Sequence, residues 1–559
     1  MSSWHSLRFP TRRVCAPHNG ARNPAGRESM SGFDSLGMYA RFSTALRSYL
    51  HHTMTLDEAY ELVQTRLARR CENFLRLVER SIYGNPRSPY LALLKHAGCE
   101  FGDLQTLVRQ HDLEGALYLL REEGVYIAFE EWKGRAPIVR GSLELPMDAH
   151  ALDNPFLVKH FYVESGGSTG VSLRVPHDLE QNAALAPNIM IGYAAHNVLN
   201  APMAVWRGIL PDGSGINNIL YPAYFGEMPE KWFSPVKPFD AKNPKYTLAS
   251  YYFVLLSRLY GASVPFPEYL PVSDAIVVAR WAADALRRRG KCRITATVSR
   301  GMRVALAAQE AGIDLTGTGM MVGGEPLTPE KARRITDSGA RVMAQYTMSE
   351  TGRIGNGCAH PLDCTDVHLA RDAFALIPYA HTIEGFDVNV NAFHMTTLLP
   401  SASKIMLNVE TDDFGVIEER DCGCLWSTLG FKTHLRGIHS YRKLTGEGVT
   451  LVSSDMVHIL EHELPARFGG SPLDYQLLEQ EDAEGLTRLF LLIHPRLQIA
   501  DEQAVIQVVM NALRNTSAAA DAARAIWAQA NTLQVKRMEP ILTSRGKFNP
   551  LHIQRHVKS

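Results

Sequence analysis

The chemistry with most promise begins at Ser165, Gly166, Gly167, Ser168, Thr169 and Gly170, with Arg174 four positions further on. Glycine tolerates positive φ and removes the Cβ that would hold an anion away from the backbone. Successive N–H groups can then form a nest for an oxyanion. Ser165, Ser168 and Thr169 add hydroxyl donors, and Arg174 adds a fixed positive charge. The pattern is not the G-x-x-x-x-G-K-[ST] phosphate loop, and alone it reads as a surface loop. Four later stretches change that reading: Gly323-Gly324-Glu325-Pro326, then Gln345-Tyr346-Thr347-Met348-Ser349-Glu350-Thr351-Gly352, then Glu410-Thr411-Asp412-Asp413-Phe414-Gly415, and finally Ser544-Arg545-Gly546-Lys547-Phe548.

In that order and spacing the stretches resemble the adenylate-forming superfamily of acyl-CoA synthetases, luciferases and peptide-synthetase adenylation domains. The phenylacetate–CoA ligase-like branch is the nearest look, and the resemblance runs from about residue 155 to the C-terminus. It implies an AMP-forming acid–thiol ligase. Such an enzyme joins a carboxylic acid to the α-phosphate of ATP, then passes the acyl group to the thiol of CoA. That chemistry needs donors for the departing pyrophosphate, a divalent ion, a nucleoside anchor and a mobile cation.

By resemblance, residues 165–170 would hold the β- and γ-phosphates, with Arg174 one place later than the family's usual Lys. Glu350 would bind Mg2+, a hard ion that takes oxygen ligands beside substrate phosphates. Ser349 would contact the α-phosphate and Tyr346 would line the adenine pocket. Thr347 stands where Gly is usual. Gly323, Gly324 and Glu325 would pass the purine ring. Asp413 would accept from both ribose hydroxyls, with Asp412 as the fallback. Lys443 is the hinge residue, and Arg436 or Arg442 would cover a ribose contact. Lys547 would bridge carboxylate and α-phosphate, a compact charge on a long stem brought in when a small domain closes.

Cys358, His360, Cys364 and His368, with Cys422 and Cys424, form a second constellation. Three Cys and one His suffice for a closed tetrahedral structural zinc. Mapping by motif favours Cys358, His368, Cys422 and Cys424, with His360 and Cys364 as rivals.

The elements that must position these groups are also legible. A run of strand, helix, strand, helix and strand is expected at 292–298, 302–311, 317–322, 329–338 and 341–345. Such alternation builds a parallel, doubly covered sheet with ligands at its carboxyl ends. The expected fold is therefore α/β: a large N-terminal domain with mainly parallel sheets flanked by helices, plus a small mobile C-terminal α+β domain. Residues 1–45 read as a disordered or mis-started tail and 46–140 as a helical lead, from the spacing of Leu62, Phe74, Val78, Leu104, Val108 and Leu120. The large ATP- and acid-binding domain is 141–440 and the lid 441–559. There a strand is expected at 487–493 and helices at 501–513 and 518–530. Aromatic residues Tyr251, Tyr252, Phe253 and Trp281 are candidates for the acid-pocket wall.

Composition bounds the partners. Lys+Arg and Asp+Glu are both 58, which argues against a global attraction to nucleic acid or anionic membrane. Apolar content of 45% and charged content of 21% are those of a globular protein, and no apolar run reaches the length of a membrane span. The first 27 residues hold five arginines and no acid. That composition resembles a transit peptide; the absence of an apolar core argues against secretion, and a plain tail, or a start at Met30, on a cytoplasmic protein is expected. The acceptor could instead be the phosphopantetheine of an acyl or aryl carrier protein, or a nitrogen nucleophile, and the activated acid could be nitrite. A degenerate nucleotide-binding non-enzyme is the remaining alternative. Oligomeric state is silent, with a homodimer carried as the commonest soluble assembly.

Overall fold

The computed structural model describes residues 32–164, 174–239, 244–383, 388–443, 456–481, 487–512, 533–543 and 545–554. Its centre is one twelve-stranded mixed sheet. Six strands are parallel: Pro267–Tyr269, Lys231–Ser234, Met203–Trp206, Cys292–Ala296, Thr318–Gly323 and Arg341–Met348, in that spatial order. The sheet then continues antiparallel through Gly352–Gly357, Val367–Leu369, Thr433–Ser440, Val409–Glu419, Asn389–Thr397 and Phe374–Thr382. The expected α/β architecture is present, with the parallel order confined to the half that the sequence pattern marked.

The three central parallel strands are buried along their whole length. Every residue of Met203–Trp206, Cys292–Ala296 and Thr318–Gly323 is inside, as a sheet covered on both faces requires. Helices Val298–Glu310 and Pro329–Thr336 are the crossovers, each started by a threonine whose hydroxyl accepts from a first-turn N–H. Thr297 accepts from Arg300 and Thr328 from Lys331.

The helical lead is continuous with the large domain. It comprises Leu56–Ala68, Arg70–Val78, Pro89–His96 and Phe101–Glu122, with Pro89 in the first turn of its helix. The expected tail ends earlier than 45: Gly32–Leu50 is a helix, and Phe42, Leu46 and Tyr49 are buried in a core with Phe161, Trp232 and Phe253. An apolar stripe on that helix, not its Arg-rich approach, decides its fate.

The small domain has its own core, built on Leu460, Tyr475, Leu477 and Leu491. Its sheet has the order Leu533–Arg537, Thr487–Ile493, Tyr475–Glu481 and Leu551–Gln554, with helix Glu502–Ala512 beside it. The helix expected at 518–530 lies outside the described residues. Against the large domain it buries an ion pair, Lys331 Nζ to Glu461 Oε1 at 2.7 Å, both side chains 2% exposed. Thr328 donates its hydroxyl to the same carboxylate.

Candidate functional site

A cleft of about 1080 Å³ opens where the two domains meet. Arg207, Thr297, Gly324 and Ser349 line it, and each is the residue immediately after a parallel strand. The cleft therefore lies along the carboxyl edge of the sheet, where such folds bind ligands. Two glycines are required there. A Cβ on Gly323 would stand 2.6 Å from the Gln345 carbonyl oxygen. Gly324 has φ +82°, and its Cβ would stand 3.2 Å from Lys547 Nζ.

The segment carrying Lys547 is held at both ends by one buried amide. Gln476 Nε2 donates to the carbonyls of Ile541 (3.0 Å) and Asn549 (2.7 Å), and its Oε1 accepts from the Ile541 N–H at 2.7 Å. The turn closes through Thr543: Gly546 N–H donates to its carbonyl at 2.7 Å and Lys547 N–H to its hydroxyl at 3.1 Å. Large-domain groups then seize it. Arg300 Nη2 donates to the Arg545 carbonyl at 2.8 Å, and Phe548 N–H donates to Glu325 Oε1 at 3.0 Å. Glu325 also accepts from the Ser299 N–H (2.6 Å) and hydroxyl (2.9 Å). It ties the lysine turn to the start of a helix, a role its place beside the expected purine path did not suggest.

Where the nucleoside is expected from the sequence, the Tyr346 hydroxyl donates to Asp413 Oδ2 at 2.8 Å. Burial, then the Asp413 charge, push that phenol well above its ordinary value, so it remains a donor. Ser440 donates to Asp412 Oδ2 at 2.6 Å. Both aspartates line the cleft, as does Thr347. Arg442 lines it too, with Nη2 2.7 Å from Glu130 Oε1. Arg436 is elsewhere. Its guanidinium spans both oxygens of Glu418 (2.9 and 2.8 Å) and Asp363 Oδ2 (3.0 Å). Strand register explains it: Arg436 lies opposite Val416, one diagonal step from Glu418. Lys443 ends the 3-10 turn Tyr441–Lys443.

Glu350 is buried in the cleft, with Lys133 Nζ 3.0 Å from Oε1. Burial would raise its carboxyl, but the charge and hydrogen bond of Lys133 outweigh that and leave it below the ordinary value. Lys133 follows the short helix Phe129–Trp132 and lies 3.5 Å from the centre of the Trp132 ring. The Ser349 carbonyl faces His177 Nε2 at 3.1 Å. Burial pushes His177 down to about 4, so near neutral pH it is an uncharged donor to that carbonyl. Arg174 starts strand Arg174–His177, exposed over the Tyr162 ring and not among the cleft's lining residues. Residues 165–170 and Ser544 lie outside the described residues.

The far wall comes from helix Ser214–Ala223, through Asn217, Asn218 and Tyr221, and from Arg353. The expected aromatic wall does not line the cleft. Tyr251 stacks between Phe239 and Phe266, Phe253 is in the core, and the Trp281 Nε1–H donates to Glu230.

Away from the cleft, Cys358 Sγ, His368 Nε2, Cys422 Sγ and Cys424 Sγ all lie within 4.8 Å of one another. The separations include 3.6 Å for Cys358–Cys422, 3.6 Å for Cys422–His368 and 3.2 Å for Cys424–His368. A tetrahedral zinc with ordinary bond lengths spans about 3.8 Å between sulfurs and about 3.6 Å from sulfur to nitrogen. His368 Nδ1–H donates to the Phe431 carbonyl at 2.7 Å, which frees Nε2 as the ligand atom. His360 is exposed, with Nδ1 3.0 Å from the Cys422 carbonyl, and Cys364 stands outside the group.

No protein-family model and no curated protein sequence matches the chain. Solved structures similar to it include 2-hydroxyisobutyryl-CoA ligase in complex with 2-HIB-AMP and CoA, at 13% identity, 90% of this chain, 92% of that one and TM-score 0.40. Anthranilate CoA ligase AuaEII in complex with anthranoyl-AMP is 11% identical over 78% and 74% of the two chains, with TM-score 0.42. ATP-bound MatB from Rhodopseudomonas palustris is 12% identical over 73% and 68%, with TM-score 0.41. At such values the likeness is loose, and the case for a function comes from the cleft's own residues. Among the described residues no helix is long and apolar enough to cross a membrane.

Proposed function

We propose that this protein activates a carboxylic acid as its acyl-adenylate at the expense of ATP, and then transfers the acyl group to the thiol of CoA. The supporting observation is convergence. Lys547, on a turn built by the small domain, meets Gly324, and Glu350, Tyr346 and Asp413 line the same cleft. A carboxylate oxygen attacks the α-phosphorus while the bond to pyrophosphate breaks. The Lys547 ammonium draws carboxylate and α-phosphate together and stabilises charge building on the phosphate oxygens. Tyr346 bounds the base, with Asp413 or Asp412 accepting from the ribose. Arg442, not Arg436, is the guanidinium at hand for a second ribose contact.

The residues fit a magnesium ion. Glu350 is ionised and buried, and one carboxylate beside substrate phosphates is the usual donor set. Mg2+ would take a Glu350 oxygen and neutralise phosphate charge. Lys133 holds that carboxylate ionised and in place. The Cys358, His368, Cys422 and Cys424 group fits a structural zinc with no position left open. Purified protein is expected to carry about one zinc per chain, and the Cys424→Ser variant to lose it and melt at lower temperature. Metal analysis that finds none removes this assignment.

The test of function is ATP–pyrophosphate exchange over a panel of acids, nitrite included. Acid-dependent exchange that disappears in Lys547→Ala, while that variant still converts preformed acyl-adenylate and CoA to thioester, is the expected result. Equal loss of both halves would remove Lys547 from its role. Replacing CoA with a carrier protein as acceptor separates the two thiol readings.

A further inference from the structure

Arg353 is a buried cation without a counter-ion. It sits on strand Gly352–Gly357, is 5% exposed, and lines the cleft. Its Nη2 donates to the Asn218 side-chain oxygen at 3.2 Å, and its Nε, shut off from solvent, has no hydrogen-bond partner among the described residues. Among the described residues no carboxylate pairs with it. Other buried cations here are better provided for: Lys331, Arg293 and Lys404 are ion-paired with Glu461, Glu227 and Asp153, and Arg207 and Arg300 each donate to two backbone carbonyls. The phenols beside it offer no negative charge, since burial pushes Tyr221 up to about 12.

Burying a charge unpaired is costly, and a guanidinium cannot escape by losing its proton. A planar fork with two amide-bearing neighbours, Asn217 and Asn218, suits a carboxylate. The nucleotide's phosphates already have Lys547 and the Glu350 magnesium position. Arg353 instead faces helix Ser214–Ala223, through Asn218 and Tyr221.

Building on the acid-activating reading above, we propose that the substrate is a dicarboxylic acid whose second carboxylate sits against Arg353 and Asn218. One carboxylate oxygen attacks the α-phosphorus of ATP, an O–P bond forming as the bond to pyrophosphate breaks. The other carboxylate stays ionised and unreacted, fixing the acid's register. Tyr221 supplies the ring beside the chain between them.

The experiment is ATP–pyrophosphate exchange with matched pairs, such as butyrate with succinate and pentanoate with glutarate. The dicarboxylate of a pair is expected to lead in kcat/KM by about 100-fold or more, as sites built around a polar group reject analogues that lack it. Arg353→Met should raise KM for that dicarboxylate about 100-fold, with the loss in the acid's KM and not the nucleotide's, and Arg353→Lys should recover part of it. Thermal melts of both variants check folding. Because the same dicarboxylate should also raise the melting temperature of the wild-type protein with a non-hydrolysable ATP analogue, and not that of Arg353→Met, binding is read apart from turnover. Exchange led by monocarboxylates, or a variant whose loss falls on the KM for ATP, overturns this proposal and leaves adenylation standing. ATP binding without exchange for any acid overturns adenylation itself.

Discussion

The two ends of the cleft are built by different rules. Where the nucleotide is proposed to sit, the groups come from short contiguous stretches: Gly323 and Gly324, and Tyr346 to Glu350, at strand ends, and Asp412 and Asp413 within strand Val409–Glu419. Backbone geometry sets those positions, so residue type and spacing are tightly bound. Where the acid is proposed to sit, single side chains arrive from separate segments: Asn218 from a helix and Arg353 from a strand. Nothing local requires any of them. The first end is a matter of chain path and the second of side-chain convergence, so substrate choice can change while the nucleotide chemistry stays.

Three substitutions bear on that contrast. Lys547→Ala should be the largest, lowering exchange by on the order of 10³-fold, the scale of losing a charge aimed at the transition state. If exchange survives it, the nucleotide end is not organised as described. Gln476→Leu keeps the volume but releases two carbonyls and one N–H at the ends of the lysine turn. Displacing a catalytic group by about 1 Å costs about 100-fold in rate, and unmade buried hydrogen bonds cost about 2 kcal/mol. Exchange and a denaturant melt measure the two, and a change in melt alone would show that the turn holds itself. Lys133→Met should be smallest, about tenfold at neutral pH, one charged hydrogen bond's worth. Its signature is in pH. With Lys133 present, Glu350 lies below the ordinary carboxyl value and stays ionised until pH falls through that lowered value. Without it, burial favours the protonated form, so the acid limb of the exchange profile should move up by about one pH unit. An unmoved limb would separate Lys133 from Glu350.

Legibility followed the same divide. The strands and helices between 292 and 348 and the small domain's 487–493 strand were readable because hydrophobic periodicity marks them, while the gathering of Tyr346, Glu350, Asp413 and Lys547 along one cleft was expected from motif resemblance. Gln476 was not. One glutamine inside an alternating strand carries no signal until Ile541 and Asn549 are seen beside it. Arg353 carried no signal either: its strand is glycine-rich, and its burial follows only from the packing of that strand inside the sheet. Arg436 was misplaced because its partners, Glu418 and Asp363, are cross-strand and loop neighbours that register alone brings near. The aromatic wall failed for a general reason. Large rings between strands more often fill a core than face a ligand.

The Lys331–Glu461 pair sealed between the domains limits how this chain can drift over generations. Losing one partner leaves a stranded charge at about 3–5 kcal/mol, while replacing both with well-packed apolar residues is close to neutral. Change at that seam therefore has to arrive in doublets, and a lineage that takes the steps singly passes through a form whose two domains no longer close.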